Sequence, residues 1–408
     1  MPRALVKLLR PVTRDGLECI LEAFTPVTAE TGPPGEHADR WLVAIYGISE
    51  ALAGWLRDTC SGSSVEVSVS RSGLPPGGPG FKALLGGSRE RLRGLAVQLA
   101  AGTAPEEIEL GRSIEEVIRT ALPDSWKLGA GRALALGGVP KLMGVLNLTP
   151  DSFYAGSRIA DKESALVRAG QLLEEGADII DLGGESTRPG AAPVSVDEEI
   201  GRIVPVIAEL VRKLPGVLVS VDTYKAEVAR AAVEAGARIV NDIGAGLLDP
   251  EMLPTVAGLD AGYVMMHMRG KPATMQADTA YEDLLAEIYL FFREGLERAR
   301  SCGVETERIV LDPGIGFGKP QAGNYEIMAR LMEFASLGRP LLAGPSRKSF
   351  LTLAGLEKPE ERLEGTLAAC TVCTLSGASI LRVHDIAQVK RTVAAASRFK
   401  FHPEQALR

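Results

Sequence analysis

From residue 141 to residue 398, short aliphatic runs alternate with longer segments of helical period, and the alternation recurs eight times. The runs fall at 141–148, 177–184, 217–223, 239–243, 263–268, 308–314, 341–346 and 379–385. Three of them share one entry: Gly176-Ala177-Asp178-Ile179-Ile180-Asp181, Gly236-Ala237-Arg238-Ile239-Val240-Asn241-Asp242, and Gly377-Ala378-Ser379-Ile380-Leu381-Arg382. Gly just past a helix supplies the left-handed cap conformation, and a short aliphatic run behind such a cap reads as a buried parallel strand. Eight helix-Gly-strand units predict an α/β fold of the (β/α)8 TIM-barrel type, with the polar residue ending each strand at the barrel mouth. An open doubly wound sheet is the alternative, but no G-x-G-x-x-G follows the first strand. Helix signals agree: Ser195-x-x-Glu198 has capping-box spacing, and a last helix spans 386–398.

Residues 1–136 read as a smaller N-terminal α/β domain preceding the barrel of 137–408. Val65-Glu66-Val67-Ser68-Val69 alternates as a half-buried strand, and 81–85 is a second. Helices are expected over 41–60, 88–101 and 113–122, the last opening on Ser113-x-x-Glu116. No catalytic constellation falls in this part, so a packing or interaction role is expected for it.

Composition narrows the partners. Forty-five Lys and Arg against 52 Asp and Glu give a net charge of -7, which offers no general affinity for nucleic acid or an acidic membrane. An anionic substrate would need local positive charge. The apolar stretch at the N-terminus is too short for a signal peptide and nothing later reaches membrane-spanning length, so a cytoplasmic location is expected. Five cysteines form no disulfide framework. Cys370 and Cys373 form a C-x-x-C on one face of a helical run, which reads as buried packing rather than redox chemistry. Four histidines leave no zinc cluster to assemble.

The strand ends carry the candidate chemistry. The first runs into Asn147-Leu148-Thr149-Pro150-Asp151-Ser152-Phe153, which offers an amide, hydroxyls and a carboxylate in one loop. The second runs into Gly183-Gly184-Glu185-Ser186-Thr187-Arg188-Pro189-Gly190, where a forked cation and exposed backbone N–H groups suit an anion. Asp222, Asn241-Asp242 and Asp312 end strands three, four and six. Carboxylates flanked by Val219, Val221, Ile309 and Val310 are costly to bury without partners. The amino and ring N–H groups of a planar heterocycle would satisfy them, much as Asp and Asn read base edges; helix capping is the competing role. Strands seven and eight end in Ser346-Arg347-Lys348-Ser349 and Arg382-Val383-His384-Asp385, which sets four basic groups where barrels bind phosphate. His267, among methionines, reads as a structural histidine. No pair resembles an activated Ser, Cys or Lys nucleophile, so a bound diphosphate reads as a leaving group.

These motifs, together with Met143-Gly144-Val145-Leu146 and Asp312-Pro313-Gly314-Ile315-Gly316-Phe317-Gly318-Lys319, resemble dihydropteroate synthase in order over about residues 141–398. The resemblance implies condensation of 7,8-dihydropterin-6-ylmethyl diphosphate with 4-aminobenzoate to give dihydropteroate and diphosphate. It implies a pterin set of Asp222, Asn241, Asp312 and Lys348, with Ile243 and Met266 as apolar ring neighbours and Arg382 against the pterin face. Asn147, Arg188, Arg382 and His384 would hold the diphosphate, with Asn147 reaching Mg2+. Thr187, Pro189, Phe153, Phe317 and Ser346 would frame the aminobenzoate. A homodimer is implied, with small-molecule substrates and neither nucleic acid nor membrane as partner. One departure is Tyr154-Ala155-Gly156-Ser157, where the family usually continues Ser-Asp-Gly-Gly. The alternatives are a pterin-dependent methyltransferase acting on a corrinoid, which has no diphosphate to bind, and a non-catalytic pterin-binding protein, which would be expected to lose Asn147 or the cations.

Overall fold

The computed structural model describes residues 4–9, 41–61, 64–74, 80–129, 131–148, 158–186, 192–272, 274–358 and 361–399. The short apolar run at the N-terminus is a strand, β1 (Leu5–Leu9), which pairs antiparallel with β2 (Trp41–Ile48). Then come α1 (Glu50–Cys60), β3 (Glu66–Arg71), β4 (Phe81–Gly87), α2 (Arg89–Ala100) and α3 (Pro105–Arg119). The four strands form an antiparallel sheet in the order β1-β2-β4-β3.

Two expectations for this part change. The segment 41–60 is a strand followed by a helix. Apart from Gly47 its first eight residues are aromatic or aliphatic, as a strand prefers, and Ser49 Oγ accepts from Leu52 N–H at 3.1 Å, so the helix begins there. The helix expected at 113–122 instead starts at Pro105, a residue suited to a first helical turn. Ser113 lies buried within it and caps nothing.

The chain divides into two compact units. The first takes 1–122 together with 281–290 and 330–338. Val6, Leu8, Val43, Ile45 and Leu85 pack with Leu92, Leu99 and Ile114 of the helices. On the opposite face of the sheet Lys7 is fully buried, donates to Glu333 Oε2 at 3.1 Å and lies over the Tyr46 ring. Tyr46 in turn donates to Asp283 at 2.7 Å, and Arg330 donates to both oxygens of Glu333.

The second unit begins with a hairpin, β5 (Ser125–Gly129) and β6 (Arg132–Ala135). Eight parallel strands follow: β7 (Lys141–Asn147), β8 (Ile179–Gly183), β9 (Val219–Asp222), β10 (Ile239–Asp242), β11 (Gly262–Met266), β12 (Ile309–Asp312), β13 (Leu342–Ala343) and β14 (Ile380–Val383). Their order is β12-β11-β10-β9-β8-β7-β14-β13, and a parallel bridge between Leu311 and Leu341 closes the ring. All eight coincide with the runs expected from the sequence. The helices between them are α4 (Arg158–Glu175), α5 (Val196–Lys213), α6 (Ala226–Glu234), α7 (Met252–Gly258), α8 (Leu284–Ser301), α9 (Gln321–Ala329), α10 (Leu363–Leu375) and α11 (Ile386–Arg398). Gly176, Gly236 and Gly377 have φ of 104°, 118° and 88°, the left-handed caps that the repeat implied. Ser195 Oγ accepts from Glu198 N–H at 3.3 Å, as its spacing predicted.

The lower barrel is an apolar plug of Met143, Ile179, Ile239, Val264, Val310, Leu342 and Ile380, and Trp126 and Leu128 of the hairpin pack among them. Trp126 is fully buried and its indole N–H donates to the Arg308 carbonyl at 2.7 Å. The hairpin therefore belongs with the barrel, and the compact units divide at 122/123 rather than at 136/137. Cys370 and Cys373 are both buried on α10; burial pushes the Cys370 thiol up to about 12 and raises the Cys373 thiol well above its ordinary value, so neither is a ready nucleophile. Among the described residues no helix is long and apolar enough to cross a membrane.

Candidate active site

Register decides which polar strand ends meet. Side chains alternate along a strand, so the Ile179, Ile239 and Ile380 positions that face the plug put Asp181, Asn241 and Arg382, two residues further on, into the upper barrel. There Arg382 Nε donates to Asp181 Oδ2 at 2.6 Å and its Nη2 to Asp222 Oδ2 at 2.6 Å. Asn241 Nδ2 donates to the same Asp181 oxygen at 3.2 Å. Asp181 is 0% exposed, and its Oδ1 has no hydrogen-bond partner among the described residues.

One guanidinium thus lies between the fully buried carboxylate of Asp181 and the partly exposed one of Asp222. Burial opposes its charge, but Asp181 and Asp222 outweigh that and hold its proton firmly. Burial also pushes Asp222 up to about 7, with Arg382 pulling it down and Asp181 pushing it up.

Asp242 has a different task from its neighbour Asn241. It accepts from the N–H groups of Gly244 and Gly246, both at 2.7 Å, and from the Tyr263 hydroxyl at 2.7 Å, and so folds the loop after β10. Holding that turn is therefore its role, and it caps no helix, since the next one starts at Met252.

Asp312 is buried, accepts from the Gly314 N–H at 2.8 Å, and is raised above its ordinary value by burial. Gly314 has φ 67°, and a Cβ there would lie 2.0 Å from the His267 carbonyl, so only glycine fits this turn. Lys319 is buried below it and donates to that carbonyl at 2.8 Å. Burial drives its ammonium well below the usual lysine range, while Asp312 opposes the shift. Lys348 Nζ sits 3.9 Å from the centre of the Phe317 ring, a cation–π distance. Phe317 joins Ile243, Met266, Met268 and Met275 in one apolar cluster. His267 is buried, edge-on to Phe291 at 4.7 Å, and held neutral by burial and Lys319, as a structural histidine would be.

The group of four cations expected after strands seven and eight is only partly cationic toward a ligand. Arg347 is engaged by Asp385 through two hydrogen bonds of 2.8 and 2.6 Å. Burial and the neighbouring Arg382 push His384 down to about 4, so its imidazole is neutral. Ser346, expected to frame an aminobenzoate, is buried with its hydroxyl 2.9 Å from His384 Nδ1. Asn147 ends β7 opposite Gly183. Phe153, Thr187, Arg188, Pro189 and the divergent 154–157 lie outside the described residues.

Two residues of the site carried no assigned role in the sequence: Asp181 and Lys319. Asp181 ends the first Gly-Ala repeat, and its equivalence to Asn241 and Arg382 in the other two was the available signal. Lys319 gave none, because a lysine after three glycines reads as solvated.

A family profile described as "Pterin binding enzyme" matches residues 143–384. Dihydropteroate synthase of Escherichia coli (strain K12) is 44% identical over 256 residues, covering 63% of this chain and 89% of that protein. Among solved structures, a Xanthomonas albilineans dihydropteroate synthase with 4-aminobenzoic acid aligns with a TM-score of 0.63 at 42% identity, over 69% of this chain and 99% of that one. A Yersinia pestis dihydropteroate synthase with a sulfonamide drug complex aligns with a TM-score of 0.62 at 40% identity, over 66% and 97%. With the barrel matched along its length and the polar strand ends gathered at one mouth, the chain belongs to the dihydropteroate synthase family, the pterinylmethyl transferases of folate biosynthesis.

Proposed function

We propose that the barrel mouth joins 4-aminobenzoate to 7,8-dihydropterin-6-ylmethyl diphosphate with the following division of labour. Asp222, Asn241, Asp312 and Lys348 hold the pterin, and Ile243 and Met266 line its faces beside Arg382. Asn147, Arg188, Arg382 and His384 hold the diphosphate; Thr187, Pro189, Phe153 and Phe317 frame the aminobenzoate. The observation that carries this division is the Asp181-Arg382-Asp222 chain with Asn241 at its edge, beside the apolar cluster of Ile243, Met266 and Phe317. It combines acceptors for a nitrogen-rich ring, a permanent cation and an apolar surface.

Mg2+ belongs to the proposal through Asn147. Its amide oxygen is a hard donor, and a Cβ on the neighbouring Gly183 would come within 3.2 Å of it, so glycine leaves the approach open. A single protein oxygen suits an ion that otherwise keeps water and substrate phosphate oxygens. When bound, the ion neutralises charge on the departing diphosphate.

In the reaction the methylene carbon–oxygen bond breaks and its electron pair leaves with the diphosphate. The amine nitrogen of 4-aminobenzoate then bonds to that carbon and sheds a proton. Arg382 stays charged throughout, because Asp181 and Asp222 hold its proton, and stabilises the anion that forms. Asp222 in its carboxylate form accepts a ring N–H and offsets cationic character on the pterin. Most of the catalysis is positioning and fixed charge.

Purified protein with Mg2+ is expected to release diphosphate only when both substrates are present, and to lose that release on chelation. Tight pterin binding without release would favour a non-catalytic pterin-binding protein, and methyl transfer to a corrinoid would favour the methyltransferase. A cytoplasmic homodimer completes the proposal, with fractionation and light scattering as its tests.

A further inference from the structure

The loops after β13 and β14 are tied by two adjacent rungs. Ser346 meets His384, and the next residues, Arg347 and Asp385, form the two-bond ion pair described above. Arg347 has φ 55°, an unusual value for a residue other than glycine, and its backbone is held on both sides. Its N–H donates to Thr366 Oγ1 at 3.0 Å, and its carbonyl accepts from Arg362 at 3.1 Å. Ser346, 4% exposed, is therefore fixed beside the imidazole by a neighbour whose conformation is over-determined.

A serine hydroxyl has one hydrogen to donate and two lone pairs to accept with. The backbone N–H of His384 donates to Ser346 Oγ at 3.2 Å and takes one acceptor position. Among the described residues the acceptor within reach of the hydroxyl hydrogen is Nδ1, at 2.9 Å. Were Nδ1 protonated, this buried hydroxyl would face two donors and leave its own hydrogen unpaired, an arrangement that a buried polar group disfavours. Burial keeps the ring from taking a second proton at neutral pH, so one nitrogen carries the only one.

We propose that Ser346 is a positioning residue that fixes His384 as its Nε2–H tautomer, so that the ring offers an anionic oxygen at the barrel mouth a neutral donor rather than a cation. The functional half rests on diphosphate binding beside His384, as proposed above. In chemical terms the mouth then carries its permanent charge on Arg382, while His384 contributes direction. A neutral donor orients an oxygen without adding to the charge that would retain the product.

The tautomer is tested without substrate, by long-range 1H–15N correlation on the 15N-labelled full chain at pH 7, with His384→Gln assigning the ring. The expected spectrum has Nε2 as the protonated, pyrrole-type nitrogen and Nδ1 as the pyridine-type one. Ser346→Ala is expected to mix the two forms, and Ser346→Thr, which keeps the hydroxyl, to restore one. A protonated Nδ1 in the unsubstituted protein, or an unchanged spectrum in Ser346→Ala, would overturn the proposal even if the enzyme is active. In steady-state assays Ser346→Ala is expected to raise KM for the pterin diphosphate about tenfold, the equivalent of ~1.4 kcal/mol, with KM for 4-aminobenzoate unchanged and Ser346→Thr restoring the first. A rise confined to the 4-aminobenzoate KM would return Ser346 to the role of framing that substrate. Absence of all activity in the unsubstituted protein would sink the functional half alone.

Discussion

Replacing Asp181 by Asn tests the charge balance at the centre of the site. The substitution keeps the size of the side chain and an oxygen for Arg382, and removes only the charge. Each carboxylate oxygen sits 2.6 Å from one nitrogen of the same guanidinium, so the two oxygens are no more than ~7.5 Å apart, and at an effective dielectric of about 20 two unit charges there repel by ~2 kcal/mol. Asp222 lies at about 7 instead of 3.8, which corresponds to ~4 kcal/mol against its ionisation. Loss of Asp181's charge should return about half of that and bring Asp222 to a midpoint ~1.5 pH units lower. The other charged groups acting on it, Arg382, Glu199 and Lys348, are unchanged. A carboxyl raised in the fold contributes stability that is fully present below its unfolded value, near 4, and is lost as pH rises through its folded value. In the unsubstituted protein that loss should extend to about pH 7; in Asp181→Asn it should be smaller and end sooner. Urea unfolding at pH 5, 6, 7 and 8 measures this directly. The stability of the variant relative to the parent should rise by ~2 kcal/mol across the series, because Asp242 and Glu199, also raised by burial, titrate in both and cancel. A difference that stays constant with pH, or falls as pH rises, would refute the reasoning.

Three further outcomes are expected. Trp126→Ala should cost about 3 to 5 kcal/mol of stability in chemical denaturation, because the indole fills the base of the barrel and satisfies the Arg308 carbonyl. Lys7→Met should cost about 1 to 3 kcal/mol, read by denaturation and by proteolysis within 1–122, because it removes one of the two cations hydrogen-bonded to the buried Glu333 and leaves Arg330 as its partner. In ligand-binding titrations Lys348→Ala should weaken pterin binding while His384→Ala weakens binding of inorganic diphosphate; equal loss of both ligands in both variants would undo the division of roles.

The barrel strands were readable because a buried parallel strand leaves a local signature, an aliphatic run behind a left-handed Gly, and all eight runs became strands. The polar strand ends Asp222, Asn241 and Asp312 were legible for the same reason: each terminates such a run. The N-terminal part was less legible. A capping-box spacing at Ser113 competed with Pro105, and the continuous apolar run over 41–48 read as part of a helix, whereas the helix begins only after its cap at Ser49. Both errors arose where short-range signals overlap and packing arbitrates.

Charge at the mouth could not be read from residue type. Arg347, Lys348, Arg382 and His384 are four basic letters, yet Asp385 engages the first, burial neutralises the last, and Asp181 and Asp222 share Arg382. Whether a basic side chain presents charge depends on its desolvation and on which carboxylates face it, and these are set by groups up to 201 positions away. The sequence by itself determined the order of the strands, the mouth at their C-terminal ends and the kinds of group gathered there, because strand period and helix caps are local physics. Only the tertiary structure decided that Asp181 anchors Arg382, that Ser346 faces an imidazole and that Trp126 seals the barrel, because each depends on the register and closure of strands distant in the chain.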